Sequence, residues 1–161
     1  MIETVNLSAE LFAELLFESL APLQAAMLEM VNSPFLKPGD SLYVQYRCGK
    51  SRWGRGYASL QAEDKMKVVQ EIKHQGYSPD TPIVVIANPG GQASFLDGTH
   101  RACILRALGR PVPAIICEPH EFTTCLRITK KYRPPLWGLV FNVRSKLRKN
   151  QSKPDSLDTR H

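Results

Sequence analysis

The side chains best able to do chemistry in this chain stand together in Asp97-Gly98-Thr99-His100-Arg101. A carboxylate, a hydroxyl, an imidazole and a guanidinium fall within one short stretch, with a glycine among them. Arg101 supplies a planar cation able to hold a phosphate or carboxylate through two hydrogen bonds. Asp97 can cap a helix, bind Mg2+ or take a proton. If a helix begins here, its first N–H groups lack internal partners and carry the positive end of the dipole, which makes an anion site. Phosphate chemistry fits these features together. The structural alternative is that Asp97 only caps the helix while Arg101 pairs with a surface carboxylate.

The flanking sequence calls for a helix there. Pro82 to Ala87 and Ala93 to Leu96 read as two short strands, and Asn88-Pro89-Gly90-Gly91 between them is a hairpin turn. Ala102, Leu105, Ala107 and Leu108 are good helix formers, Gly109 stops the helix, and Pro111 prevents it from resuming. A strand therefore ends at Leu96 and a helix begins near Thr99. Val112 to Cys117 is the next short strand, closed by Glu118-Pro119-His120, with His120 a candidate for a secondary contact.

These residues also carry a resemblance. The run from Val69 to Cys117 contains Ile72-Lys73-His74-Gln75-Gly76-Tyr77, then Pro82-Ile83-Val84-Val85, then Leu96 to Ala102 with its Gly-x-x-Arg box, then Gly109 and Val112-Pro113-Ala114-Ile115. It resembles the ParB/sulfiredoxin superfamily over roughly a third of the chain. The resemblance implies an α+β fold: a single ParB/sulfiredoxin-like domain over residues 1–135, with a core at 59–118 and a small mixed sheet flanked by helices. The activities within that superfamily are CTP binding on DNA, sulfinic-acid reduction and nucleotide-dependent phosphorylation of free serine.

The box discriminates among them. Sulfiredoxins carry a catalytic Cys where this chain has Thr99, and Cys103 lies about one helical turn further on. Partition ParB proteins carry Glu and Arg where Thr99 and His100 stand, followed by a large helix-turn-helix region, whereas a basic tail follows Pro135. Asp97-Gly98-Thr99-His100-Arg101 is similar to the Asp-Gly-x-x-Arg box of the small-molecule kinase branch. By that resemblance Gly98, Thr99, His100 and Arg101 bind nucleotide phosphates. Asp97 coordinates Mg2+ or accepts the proton of the acceptor hydroxyl, and His100 contacts the transferring phosphoryl group, so that Asp97, His100 and Arg101 are the catalytic set. The expectation is a nucleotide-binding protein that uses Mg2+ with ATP or ADP as the kinase of a small hydroxylated metabolite. The alternative is a non-catalytic module that binds nucleic acid through its basic loop and tail.

That loop, Arg47 to Tyr57, interleaves basic, glycine and aromatic residues. Trp53 or Tyr57 could stack on a base, which makes Trp53 a candidate nucleotide contact. Gly49-Lys50-Ser51 is not the end of a Walker A motif, because Val44 stands where the upstream glycine belongs. The tail, from Arg127 to Lys153, has nine basic and no acidic residues. Its segment 136–150 is basic and amphipathic. Leu136, Val140, Val143 and Leu147 make a helical stripe, while Trp137, Leu139, Phe141 and Val143 alternate as a strand would. Residues 151–161 are polar and expected to be disordered.

Composition sets outer bounds. At 161 residues and 43% hydrophobic content the chain suits one domain with a real core, and a net charge of +6 favours anionic partners. Cys48, Cys103, Cys117 and Cys125 show no C-x-x-C pairing, so reduced, mostly buried thiols are expected. Glu3 and Glu10 stand where a signal peptide would be basic, and Glu14, Glu18 and Pro22 break the first apolar segment. A soluble cytoplasmic protein without a transmembrane segment is expected.

The remaining elements follow from periodicity and capping. Ile2 to Val5 suggests a strand, Ser8 a helix cap, and Leu23 to Val31 a helix. Ser41 to Tyr46 reads as a strand from its β-branched and aromatic content. Ser59 is expected to cap a helix that ends at Gly76, and Glu121 to Lys131 to form a last helix.

Overall fold

A computed structural model of the chain describes residues 4–10, 12–48, 54–87, 92–121, 123, 124 and 127. The fold is α+β. Its sheet has four strands, β1 (Thr4–Asn6), β2 (Ile83–Ala87), β3 (Ala93–Asp97) and β4 (Pro113–Cys117), in the order β1-β4-β2-β3. β2 pairs parallel with β4 and antiparallel with β3, and β1 pairs antiparallel with β4. The helices are α1 (Ala13–Glu18), α2 (Ala21–Asn32), α3 (Leu42–Cys48), α4 (Gly54–Gln75) and α5 (Thr99–Ala107).

The sheet divides its side chains by the two-residue period of a strand. Ile83, Val85 and Ala114 join the main core with Leu23, Met27, Tyr43, Val69, Ile104 and Leu105 from the helices. Val84 and Cys117 form a smaller cluster, packed with Leu96 and Ile115. Polar ties then fix the helices. Arg106 of α5 donates to both carboxylate oxygens of Glu14 on α1, at 3.1 and 3.2 Å, with its guanidinium 4.3 Å from the Phe17 ring centroid. Arg110 donates to the carbonyls of Ile72 (2.7 Å), which also accepts from the Gly76 N–H, and of Lys73 (3.0 Å), at the carboxyl end of α4 where carbonyls run out of helical donors.

The hairpin and the helix after it form where the sequence places them. β2 and β3 pair through Val85↔Phe95 and Ala87↔Ala93, and α5 begins at Thr99 and gives way to Gly109 at φ +66°. The turn at 88–91 lies outside the described residues. α2 spans Ala21–Asn32 with Pro22 in its first turn, where proline's missing N–H is not needed.

Other expectations are corrected. Ser41 to Tyr46 is not a strand: Leu42–Cys48 is helical, and the Leu42 N–H donates to Glu29 Oε1 of α2 at 2.8 Å. In that conformation Tyr43 and Val44 are buried together, and packing overrides their β propensity. Ser59 does not start a helix. α4 begins five residues earlier at Gly54, and Ser59 Oγ donates back to the Arg55 carbonyl at 2.9 Å. The Arg47 to Tyr57 stretch is therefore helical at both ends, with residues 49–53 outside the described part. Ser8 lies within a 3-10 turn, Leu7–Ala9, which Asn6 caps instead. Cys117 is disulfide-bonded, so its thiol is not reduced as expected; Cys48 and Cys103 are free. The helix expected over Glu121 to Lys131 and the segments 136–150 and 151–161 lie largely or wholly outside the described residues. Among those described, no helix is long and apolar enough to cross a membrane.

Candidate functional site

The site is built at the junction of β3 and α5. Gly98 makes the turn at φ +85°, ψ 20°, the left-handed conformation that glycine adopts without strain. A Cβ there would also lie 2.9 Å from Ile83 Cγ1 and 3.0 Å from Ile83 Cα, so the turn is pressed against the start of β2. Asp97 Oδ1 accepts from the Gly98 N–H at 2.8 Å. This carboxylate therefore braces the turn, and among the described residues no side-chain cap is made at the Gly98 N-cap of α5. The first N–H groups of α5, starting at Thr99, keep the donor capacity that a helix amino end offers an anion.

Arg101 is more deeply engaged than its place in the box suggests. Its guanidinium donates to the carbonyls of Thr81 and, at 3.4 Å, Pro82, and Nη2 lies 3.8 Å from Asp97 Oδ2. It thereby ties the first turn of α5 to the segment leading into β2. Both parts of the structural alternative are only partly met: Asp97 holds the turn and not the helix, and Arg101 pairs with Asp97 while also gripping backbone.

His100 occupies the second position of α5. Its Nε2 is 3.1 Å from Tyr43 Oη, and Arg47 Nε donates to the same oxygen at 3.0 Å. Burial foremost, and then the positive charges of Lys65, Arg47 and Arg101, lower the His100 pKa to about 3. The imidazole is neutral at physiological pH. Lys65 on α4 is likewise pushed down, first by desolvation and then by Arg47, with Asp64 opposing and Arg101 adding to the shift. Tyr77 completes the surroundings; burial raises its pKa, opposed by a hydrogen bond to the Ile83 backbone and by Arg101.

Three permanent or near-permanent cations, Arg47, Lys65 and Arg101, therefore converge on one imidazole from three helices. Asp97 beside Arg101 and Asp64 acting on Lys65 offset part of this positive charge, and an anion would offset more. Cys103 has no part in the chemistry: it is fully buried, and desolvation pushes its thiol up to about 12.

Of the residues expected from sequence, Asp97, Gly98, Thr99, His100 and Arg101 form one continuous site, while Trp53 lies outside the described residues. Tyr43 and Lys65 were not expected. Tyr43 and Arg47 are four residues apart, a spacing that brings them together on a helix, so the helical reading of 42–48 would have exposed the pair. No local signal marks Lys65. Asp97 does not fit a resident Mg2+ ligand, since its oxygens serve the Gly98 N–H and Arg101, and the described residues contain no cluster of three metal-ligating side chains. No protein-family model matches this chain, and no curated protein or solved structure does.

Proposed function

We propose that this chain is a ParB/sulfiredoxin-like nucleotide-binding protein, which holds the phosphates of ATP or ADP at the amino end of α5. The observation that carries the reading is the start of α5, where no side-chain cap is made among the described residues, with Arg47, Lys65 and Arg101 acting together on its second residue. Gly98 lets the phosphates approach the backbone, the first amides of α5 donate to their oxygens, and Lys65 and Arg101 offset their charge. Arg101 has a second task, holding the turn in the shape that presents those amides.

Phosphoryl transfer to a small hydroxylated metabolite extends this reading. His100 is a poor base for such a step, because a group of pKa about 3 holds a proton too weakly to draw one from an alcohol. Asp97, the carboxylate of the box, is the remaining candidate for that task. The nucleic-acid reading draws on Arg47, whose Nε instead turns to the buried hydroxyl of Tyr43.

A thermal-shift series with ATP, ADP, CTP and GTP, each with and without Mg2+, tests binding. A ligand at a hundred times its Kd stabilises by about 2.7 kcal/mol. Stabilisation by at least one nucleotide is expected, and turnover of that nucleotide with pooled hydroxylated metabolites would establish the kinase. A melt that no nucleotide moves would sink the proposal.

A further inference from the structure

Tyr43 is fully buried on α3, so its hydroxyl must find hydrogen-bond partners within the protein. Arg47 Nε, one helical turn along, donates to Oη at 3.0 Å, and His100 Nε2 stands 3.1 Å from the same atom. A guanidinium can only donate. It takes an acceptor position on the hydroxyl and leaves the O–H proton in need of an acceptor. Among the described residues, the acceptor in reach is His100 Nε2. If Nε2 carried a proton, two donors would converge on Oη and the phenolic proton would be stranded in the core. Nε2 therefore accepts, and the imidazole proton sits on Nδ1.

The surrounding charges point the same way. Lys65 on α4, Arg47 on α3 and Arg101 on α5 all oppose a positive imidazole, and Asp97 at the end of β3 lies 3.8 Å from Arg101. Burial foremost raises the Tyr43 pKa, Arg47 opposes it, and Tyr46 and Tyr57 add to it, so the hydroxyl keeps its proton.

We propose that Tyr43 and Arg47 are positioning residues of the phosphate site, which hold His100 as a neutral imidazole protonated on Nδ1 and so make it a fixed hydrogen-bond donor to a phosphate oxygen. This rests on the phosphate-binding reading for its ligand, though not for the state of the ring. The donor holds its proton across the physiological range. It is also withdrawn as a base and as a phosphate-accepting nucleophile, because the ring nitrogen with the lone pair is committed to Tyr43.

Long-range 1H–15N spectra of the full-length, ligand-free protein test the ring directly, with the His100 signals assigned by their loss in His100→Gln. The expected wild-type spectrum shows Nδ1 protonated and Nε2 bare, unchanged from pH 8 to pH 5. Tyr43→Phe keeps the aromatic packing and should shift the ring toward the Nε2–H form, raising its titration midpoint by at least about one unit. Arg47→Met should give a mixture of tautomers, since Oη could then accept from the ring. A wild-type Nε2–H ring, or a ring unaltered in both variants, overturns the positioning role. Calorimetry with inorganic triphosphate reads the ligand separately. Binding should weaken at least about tenfold in Tyr43→Phe, the loss of one hydrogen bond to a charged group. A ring in the expected state without triphosphate binding overturns the donor role and the phosphate-binding reading together. Triphosphate binding with the opposite tautomer overturns the positioning role alone.

Discussion

A histidine held at a pKa of about 3 makes the fold sensitive to acid. In the unfolded chain the imidazole takes its proton near 6.5, and in the folded protein only near 3. Between these values the unfolded state binds more protons, so stability is complete above pH 6.5 and falls as pH drops toward 3. One such group contributes a slope of up to about 1.4 kcal/mol per pH unit. Urea midpoints should therefore decline more steeply for wild type than for His100→Gln between pH 6.5 and 4, the carboxylates being common to both. Equal slopes would show that the ring is not buried among cations as described. The box itself was legible because its residues are contiguous and their types suffice to suggest anion binding. The meaning of individual residues was less so. Arg101 serves the carbonyls of Thr81 and Pro82, some twenty residues upstream, and His100 owes its charge state to Tyr43, Arg47 and Lys65 on other helices. Those pairings are made by tertiary packing, which a local motif does not encode.

The junction of β3 with α5 puts a sharper demand on glycine than any other described turn. Gly98 and Gly109 both have positive φ, but a Cβ at Gly98 meets Ile83 at 2.9 Å while one at Gly109 meets nothing within 4 Å. Gly109→Ala should cost about 1 kcal/mol, the strain of the left-handed conformation alone. Gly98→Ala should cost more, about 2–4 kcal/mol, because β2 must shift as well. Thermal melts of the two variants check this, and a similar loss for both would contradict the close packing of the turn on Ile83. Elements with local signals, the β2–β3 hairpin, α2 and α5, are where the sequence puts them. α3 is not, because Tyr43-Val44-Gln45-Tyr46 has strand-like content and its helical start is satisfied by Glu29 of α2. α4 begins before its apparent cap: Ser59 has the residue type of an N-cap, yet its hydroxyl folds back on the Arg55 carbonyl within the helix.

At the scale of the whole molecule, a net charge of +6 becomes informative only once part of it is located. Arg47, Lys65 and Arg101 come from sequence positions up to 54 residues apart (101 − 47) and meet at one end of α5. Composition gives only the sign of that charge, and the fold gathers part of it at one end of α5. Lys65 is the residue on which the account can be tested most cleanly, since Arg101 also holds backbone and Arg47 also holds Tyr43. Lys65→Met keeps the aliphatic stem and removes a charge that its surroundings already disfavour, so the unliganded melting temperature should stay level or rise. The decisive measurement is calorimetric titration of wild type and Lys65→Met with the nucleotide that stabilises best, at low and moderate salt. Binding to wild type and at least about tenfold weaker binding to Lys65→Met, worth about 1.4 kcal/mol, is the predicted result. Absence of nucleotide binding to wild type, or equal affinity in the two proteins, would contradict a phosphate site at the start of α5.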